Sequence, residues 1–406
     1  MRAIRVFFLV YGLALATFFP FVAVILDDRG FAPAAIGVVT AVASLVFAAS
    51  VPGWGHLADV RLGRSGALRV AALLSGLALV AFGLPWPPVL LAALYLCWAG
   101  TESAIGPLAD AVAVNALEDP ERQYPPIRLL TSLGFAAAAV AVGFLYDVAG
   151  YGPASLLYAL GAVLLAVIAG GIPDRPRAEL ARYGARHGRG GAFRVAFAVQ
   201  PRLPLVLLAI LLVHVGVLGG FTFLGLRLVE LGGGPSAVAL SVGLSAVAEI
   251  PGMLVAGRLV PRIGIRTLFV ACALVYALCV LSWAILADPL WIVLTRIPSG
   301  LAFAGIWITA VLTMQRLLPD RLQGTGQGLY QTTAFGLAAI LANLVGGFVI
   351  QAAGTMPFFI AASVATATAA AVGWVAMPRR REPRPEWPDA FGQTTPGTGA
   401  QEDAAR

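Results

Sequence analysis

Five ionisable residues lie inside stretches of sequence that are otherwise apolar: Glu102, Asp110, His214, Glu249 and Arg296. An ionised side chain near the centre of a bilayer costs at least about 2.5 kcal/mol, so such residues are usually functional or paired. A carboxyl group that is alone in an apolar cavity can load and release a proton, and a histidine can relay one near neutral pH. The pattern therefore indicates proton or solute chemistry inside a membrane, with Glu249, Glu102 and His214 as candidate proton-coupling groups.

The composition predicts the membrane that this chemistry requires. Of the 406 residues, 59% are hydrophobic and 12% are charged, whereas soluble domains carry roughly 25% charged residues. The apolar residues fall in runs of about 20, the length that crosses a hydrocarbon core. A soluble fold is excluded because too few charges remain to cover a surface in water.

Other classes of function lack their usual residues. All 27 basic residues are arginine, so the lysine-containing phosphate loop of ATP-driven machinery is absent from the sequence. The cysteines Cys97, Cys272 and Cys279 follow no metal-ligand spacing. We expect no cofactor, metal or nucleic acid, no enzyme activity, and a monomer in the lipid bilayer that acts on a small-molecule substrate and protons.

Twelve spans can be drawn between segments of glycine, proline and charge. They are 6–26, 34–54, 66–85, 88–115, 128–148, 153–172, 204–227, 235–256, 267–287, 289–314, 327–351 and 357–377. With the N-terminus in the cytoplasm, 24 of the 27 arginines fall on the cytoplasmic side, leaving Arg29, Arg227 and Arg296. This asymmetry follows the positive-inside rule and predicts a multi-pass protein of the cell (inner) membrane with both termini cytoplasmic.

An internal repeat divides the spans six and six. The segment GHLADVRLGR at 55–64 follows the second span, and GRLVPRIGIR at 257–266 follows the eighth. Two halves related by an axis along the membrane normal are typical of transporters. We therefore expect an N-terminal bundle (1–172), an Arg-rich cytoplasmic linker (173–203), a C-terminal bundle (204–377) and a disordered cytoplasmic tail (378–406).

The segment at 55–64 resembles the signature of the major facilitator superfamily, with one extra residue after its aspartate. The resemblance covers nearly the whole membrane part and implies an all-α membrane protein of twelve transmembrane helices in two pseudo-symmetric six-helix bundles. It also implies a conformational latch between neighbouring helix ends. The latch residues would be Gly55, Asp59, Arg61, Gly63 and Arg64.

A narrower resemblance is to the phenylpropionate permease, lactose permease and nucleoside symporter branch. It rests on PLAD at 107–110, on IRLLTSLGF at 127–135, and on AEIP at 248–251. The resemblance implies that Asp110 and Arg128 bind the substrate, that Phe135 stacks on it, and that Glu249 binds a proton or substrate. Asp110 and Arg128 can instead form a structural ion pair, since arginine offers a planar fork of donors to a carboxylate.

Three interpretations of Arg296 remain open. It can snorkel to the outer surface, hold a glycine-rich helix contact, or meet an anionic substrate. As the only ionisable residue of the tenth span, it excludes the His–Glu proton relay of the lactose permease.

These observations together predict a proton-coupled symporter that imports a small organic solute by alternating access. A sugar, a nucleoside and an aromatic carboxylate all remain candidate substrates. The alternative is a proton-driven exporter of drugs or metabolites with the same fold. The antiporter signature expected on the fifth span is absent from 133–147, which favours import.

The arginine asymmetry generates a topology prediction. A cysteine introduced at Gly188 or at Gly399 should react with a membrane-impermeant maleimide only after the cells are broken, because both positions are expected in the cytoplasm. Labelling of either cysteine in intact cells would contradict the orientation.

Overall fold

The computed structural model describes residues 2–117, 120–172, 195–319, 322–380 and 382. Within these ranges the chain is helical and has no strand. Twelve helices follow one another: α1 (Arg2–Asp28), α2 (Pro33–Leu57), α3 (Gly63–Phe82), α4 (Pro88–Glu102 and Ile105–Ala116), α5 (Pro120–Ala149), α6 (Ala154–Gly170), α7 (Leu203–Glu230), α8 (Pro235–Ile263), α9 (Ile265–Ile285), α10 (Pro289–Leu317), α11 (Gln323–Ala353) and α12 (Thr355–Ala376).

The twelve predicted spans are confirmed, and the ends of the helices differ from the predicted ones by several residues in either direction. Most of the predicted linker (173–194) and of the predicted tail (383–406) lies outside the described residues. The start of the tail is tied to the C-terminal bundle, because Glu382 pairs with Arg202 at the beginning of α7. Burial of Glu382 opposes its charge, but the Arg379 N–H and the Arg202 guanidinium outweigh burial and lower the pKa of this carboxyl.

The helix contacts repeat between the two halves. In the N-terminal bundle α1 packs on α5 and α6, α3 packs on α4 and α6, and α2 packs on α4. In the C-terminal bundle α7 packs on α11 and α12, α9 packs on α10 and α12, and α8 packs on α10. Each of these contacts thus has its counterpart in the other bundle, which is the two-fold relation that the repeat predicts.

Left-handed glycines mark the same repeat in the backbone. Gly30 (φ +81°) and Gly232 (φ +83°) follow α1 and α7, and Gly63 (φ +69°) and Gly264 (φ +86°) precede α3 and α9. Glycine adopts these angles without a steric penalty because it has no Cβ. The tight connections of the two bundles therefore use the same backbone geometry.

Two of the three arginines outside the predicted cytoplasmic set hold equivalent helix ends. Arg29 donates hydrogen bonds to the carbonyls of Gly83 (3.0 Å) and Leu84 (3.1 Å) at the end of α3. Arg227, which is 9% exposed, donates to the carbonyl of Trp283 (3.2 Å) and to that of the next residue at the end of α9. The last carbonyls of a helix lack partners within the helix. Each arginine therefore caps the same helix end in its own bundle.

We call the membrane side on which α1 begins the N-terminal face and the other side the opposite face. The bundles meet through α2 against α11 and through α5 against α8. A Cβ on Gly347 would lie 2.6 Å from the Pro33 carbonyl, and one on Gly143 would lie 2.3 Å from the Ala239 Cβ. Such close backbone approach is typical of tightly packed membrane helices, and all these contacts lie toward the opposite face.

Helices α1 and α7 also meet in the middle of the structure. The Phe19 and Phe221 rings are 5.1 Å apart, at the point where Pro20 interrupts α1 with a short 3₁₀ turn. In the described part of the chain, no hydrogen bond joins the two bundles on the N-terminal side of this contact. We call the space between the bundles on that side the inter-bundle cleft, and Phe19 and Phe221 form its roof.

Candidate functional site

The N-terminal wall of the inter-bundle cleft is organised by a break in α4. Pro107 has no N–H and its ring opposes the carbonyl four residues earlier, so the helix is interrupted at Ser103 and Ala104. The Gly100 carbonyl near the break accepts hydrogen bonds from Trp54 Nε1 (2.9 Å) and Ser103 Oγ (2.7 Å). The break is therefore stabilised by specific partners.

Glu102 stands at this break and is 4% exposed. Its Oε2 accepts a hydrogen bond from the Tyr158 hydroxyl of α6, which also lies 3.2 Å from Ser75 Oγ. The Tyr11 hydroxyl of α1 faces the same carboxyl group. Oε1 of Glu102 has no hydrogen-bond partner among the described residues, so one acceptor of the carboxyl remains open.

The relation between Glu102 and Asp110 differs from the sequence expectation. An unbroken helix would place them on adjacent faces, but the structure puts them on two separate half-helices. Both carboxyl groups still belong to one cluster of charges, because the Tyr11 hydroxyl interacts electrostatically with Glu102, Asp110 and Arg128.

Asp110 and Arg128 are not paired with each other. Neither of the two ion pairs found among the described residues joins them. Asp110 Oδ1 is buried without a hydrogen-bond partner, the Tyr124 hydroxyl faces its carboxyl group, and Arg128 is exposed. The structure therefore shows an unpaired acceptor and an accessible guanidinium on neighbouring helices.

Phe135 lies on α5 beside α1. It packs against a small cluster of Ala16, Ala138 and Ala139 and is partly buried. Gly134 next to it allows α1 and α5 to touch, since a Cβ there would lie 2.4 Å from the Leu9 carbonyl. The contacts of Phe135 are thus helix-packing contacts, and its stacking on a substrate remains an expectation.

The C-terminal wall is aromatic. The fully buried His214 of α7 contacts three aromatic rings whose centroids lie 5.4–6.5 Å from its own, and a fourth ring, that of Trp307, contacts those three. These residues, which we call the aromatic wall, are Phe303, Trp307, Tyr330 and Phe335. None of the four is among the residues predicted from the sequence, although Phe303 and Trp307 are spaced one helical turn apart.

The ring of His214 has one nitrogen in use. Nδ1 lies 2.8 Å from the Ile210 carbonyl, so it carries the proton that this hydrogen bond needs. Nε2 has no partner among the described residues, and neither does the Tyr330 hydroxyl. His214 is also two turns below Phe221 on the same face of α7, which places it beneath the roof.

A π-helical turn at Thr332–Leu337 shapes the same wall. It lies in the middle of α11, begins two residues after Tyr330 and includes Phe335. Such turns inside helices are frequent at functional sites, because the extra residue rotates one part of the helix against the other. Here the turn lets both aromatic side chains face His214.

Glu249 of α8 is less isolated than the sequence implied. No described residue donates a hydrogen bond to its carboxyl group, but Arg296 of α10 acts on it through its charge. Arg296 lies on another helix, so the sequence around Glu249 does not indicate this neighbouring charge.

Arg296 does not snorkel to the surface. It is 6% exposed, donates to the Ser241 carbonyl (3.2 Å) and Ser299 Oγ (3.2 Å), and lies over the Trp283 ring at 5.2 Å. Of the three interpretations, a helix contact between α8 and α10 describes the position of Arg296, and its charge faces the bundle interior.

The predicted latch residues lie together at the N-terminal face. A π-helical turn (Ala58–Leu62) follows α2, and Gly63 starts α3 with a positive φ. Arg64 donates to the Ala111 carbonyl of α4 at 3.4 Å. Gly55, Asp59 and Arg64 line one pocket against the α4 break. Asp59 and Arg61 are exposed and take part in neither of the ion pairs described above.

Comparison with known proteins identifies the family. A family model described as the MFS_1 like family matches residues 1–361. The chain belongs to this family of the major facilitator superfamily. The superfamily resemblance seen in the sequence is thereby confirmed.

Two curated relatives cover most of the chain. The maltose permease of Geobacillus stearothermophilus is 32% identical over 348 residues, which are 85% of this chain and 86% of that protein. The transporter YwbF of Bacillus subtilis (strain 168) is 23% identical over 86% of both chains. Both relatives are described as transporters or permeases, and neither is described as an enzyme.

Solved structures confirm the fold. The nucleoside transporter NupG superposes with a TM-score of 0.78 at 16% identity, over 92% of this chain and 97% of that one. The D-xylose-proton symporter superposes with a TM-score of 0.68 at 17% identity, over 93% of this chain and 97% of that one. The major facilitator member described here therefore has the twelve-helix, two-bundle fold of its superfamily.

Proposed function

We propose that this protein is a proton-coupled importer of a sugar of the disaccharide class, acting by alternating access. The observation that carries the proposal is a set of buried polar atoms without hydrogen-bond partners, found in both bundles. They are Trp98 Nε1, Glu102 Oε1, Asp110 Oδ1, His214 Nε2 and the Tyr330 hydroxyl.

Unpaired buried polar atoms are costly, at about 1–3 kcal/mol each. A polyhydroxylated ligand offers the donors and acceptors that would remove this cost. The carboxyl oxygens and His214 Nε2 accept hydrogen bonds from hydroxyls, while Trp98 Nε1 donates one to a hydroxyl or ring oxygen. The set therefore matches a sugar better than an apolar drug.

The aromatic wall supports the same substrate class. A pyranose ring has apolar C–H faces as well as hydroxyl edges, and aromatic rings bury such faces effectively. Phe303, Trp307 and Phe335 are only partly buried, so their rings are the members of the wall that a sugar in the cleft can reach. The polar wall would bind the hydroxyls and the aromatic wall the apolar faces.

The identity to a maltose permease selects among the solutes that the sequence leaves open. At 32% over 85% of the chain, a shared substrate class is a reasonable inference. The experiments must then distinguish a sugar from a nucleoside and an aromatic carboxylate, and import from export of a drug or metabolite.

Alternating access follows from where the bundles touch. We infer that the segments 1–172 and 204–377 rock as two bodies joined by the linker 173–203. With the N-terminal face in the cytoplasm of a cell (inner) membrane, the observed state is open inward. The latch residues would then pair when that face closes, because Asp59 and Arg61 are free of ion pairs in the described part of this state.

Proton coupling is assigned to Glu249. Its carboxyl group lies within reach of the Arg296 charge, so loading a proton changes the balance between the two groups inside the C-terminal bundle. Glu102 and His214 are the alternative carriers, and both also contact the sugar in this proposal. Phe135 would support the substrate from α5.

The first test is ligand binding. Asp110→Asn, Arg128→Gln and Trp307→Leu should each weaken maltose binding by tenfold or more, because each removes a group that faces the sugar. Isothermal titration calorimetry on the purified proteins measures this. Thermal-shift scans against maltose, xylose, uridine and cinnamate establish the ligand class, since a ligand stabilises the folded state by mass action.

A matched control separates binding from folding. Trp291→Leu changes a tryptophan that is 59% exposed on the same helix as Trp307, and it should leave affinity unchanged. Wild-type affinity in all three site variants would show that Asp110, Arg128 and Trp307 have only a structural role. Stabilisation by uridine alone would replace the sugar with a nucleoside.

The second test concerns the proton. Glu249→Gln should lose accumulation of maltose against a gradient but keep counterflow exchange, because a carrier without its titrating group can still exchange loaded substrate. Proteoliposome transport measures both. The same assays on Glu102→Gln and Asp110→Asn identify a competing carrier. If Glu249→Gln accumulates maltose normally and keeps the pH dependence of the wild type, Glu249 does not carry the coupled proton.

A further inference from the structure

Two side chains cross between the bundles at the opposite face. Asp147 Oδ1 of α5 accepts a hydrogen bond from the Ser236 N–H of α8 at 3.0 Å. Gln351 Oε1 of α11 accepts one from the Ala34 N–H of α2 at 3.1 Å. In the part of the chain that the structure describes, these are the only hydrogen bonds between the N-terminal and C-terminal bundles.

The two acceptors occupy the same register. Each stands three residues before the left-handed glycine that ends its helix, Gly150 (φ +67°) for Asp147 and Gly354 (φ +88°) for Gln351. Helices α5 and α11 are counterparts in the two bundles. The acceptors are therefore equivalent under the internal repeat.

The two donors also match. Helices α2 and α8 begin with Pro33 and Pro235, and proline has no N–H. The second residue, Ala34 or Ser236, therefore carries the first free N–H of each helix. This N–H has no partner within its own helix. Each crossing side chain thus caps a helix of the other bundle.

Their chemistry differs in one respect. The positive end of a helix dipole favours an anion, so the carboxylate of Asp147 gains an interaction that the neutral amide of Gln351 lacks. A Cβ on Gly234 would lie 2.5 Å from Asp147 Oδ1, which shows how closely the carboxylate approaches this helix start. The two caps are alike in geometry but unequal in strength.

We infer that Asp147 and Gln351 form a duplicated lock that holds the opposite face closed and must release on both sides before that face opens. Separation of the bundles carries each acceptor away from its donor, so the N–H groups of Ser236 and Ala34 pass to water. The inference rests on the proposed alternating access but not on the identity of the substrate.

The lock makes opposite predictions for loss of a cap and for gain of a charge. Gln351→Ala should raise the ratio of molecules with an open opposite face by roughly fivefold, the effect of losing about one hydrogen bond. Asp147→Ala should raise it further, because this variant also loses the interaction of a carboxylate with the helix start. Gln351→Glu should lower the ratio, because it places a second carboxylate at a helix start.

Distances across the opposite face report this ratio. Spin labels at Val89→Cys and Ile285→Cys, both highly exposed, are read by double electron–electron resonance in the full chain without ligand, with Cys97, Cys272 and Cys279 replaced by alanine. Asp288→Ala is the matched control, since Asp288 caps its own helix at Leu290 (2.8 Å) within one bundle. It should leave the ratio unchanged.

The outcomes decide between a lock and a structural contact. A larger open population in the two alanine variants and a smaller one in Gln351→Glu support the lock. Unchanged distances in all three variants, with melting temperatures equal to the wild type, overturn it. Because no sugar enters the experiment, a failure to transport maltose would leave this result standing and reject only the substrate.

Discussion

The fold depends on one constraint: inside a bilayer, each polar group needs a partner from the protein itself. Lipid offers no hydrogen bonds, and an unpaired backbone group in hydrocarbon costs several kcal/mol. Arg29 and Arg227 meet this constraint at the ends of α3 and α9. Trp54 meets it at the break in α4 by donating to the Gly100 carbonyl.

Exceptions to this constraint occur in both bundles. Glu102 Oε1, Asp110 Oδ1 and His214 Nε2 remain without partners in a molecule that otherwise satisfies its helix ends. Such atoms are stable in the folded state only at a cost, which binding of a polar solute would recover. The same reasoning links the proposed sugar site to alternating access. Polar groups at the cleft are satisfied when a ligand binds, whereas polar groups at the opposite face are satisfied by hydrogen bonds between the two bundles.

The sequence predicted the spans, the duplication and the ionisable candidates because these depend on local composition and on helix length. The aromatic wall was beyond it, since Phe303 and Tyr330 come together only through packing of α10 and α11 around His214. The charge near Glu249 was missed for the same reason, because Arg296 lies on another helix. The arginine count indicated the orientation but not that Arg29 and Arg227 cap helices.

We propose that the cleft carries a sugar inward on a proton gradient. Labelled maltose uptake into proteoliposomes, with the protein oriented as in the cell and acid outside, tests this transport most directly. We expect maltose to accumulate inside above its external concentration, and a protonophore to abolish the accumulation. Uptake that is absent, or maltose expelled toward the acidic side, would contradict it.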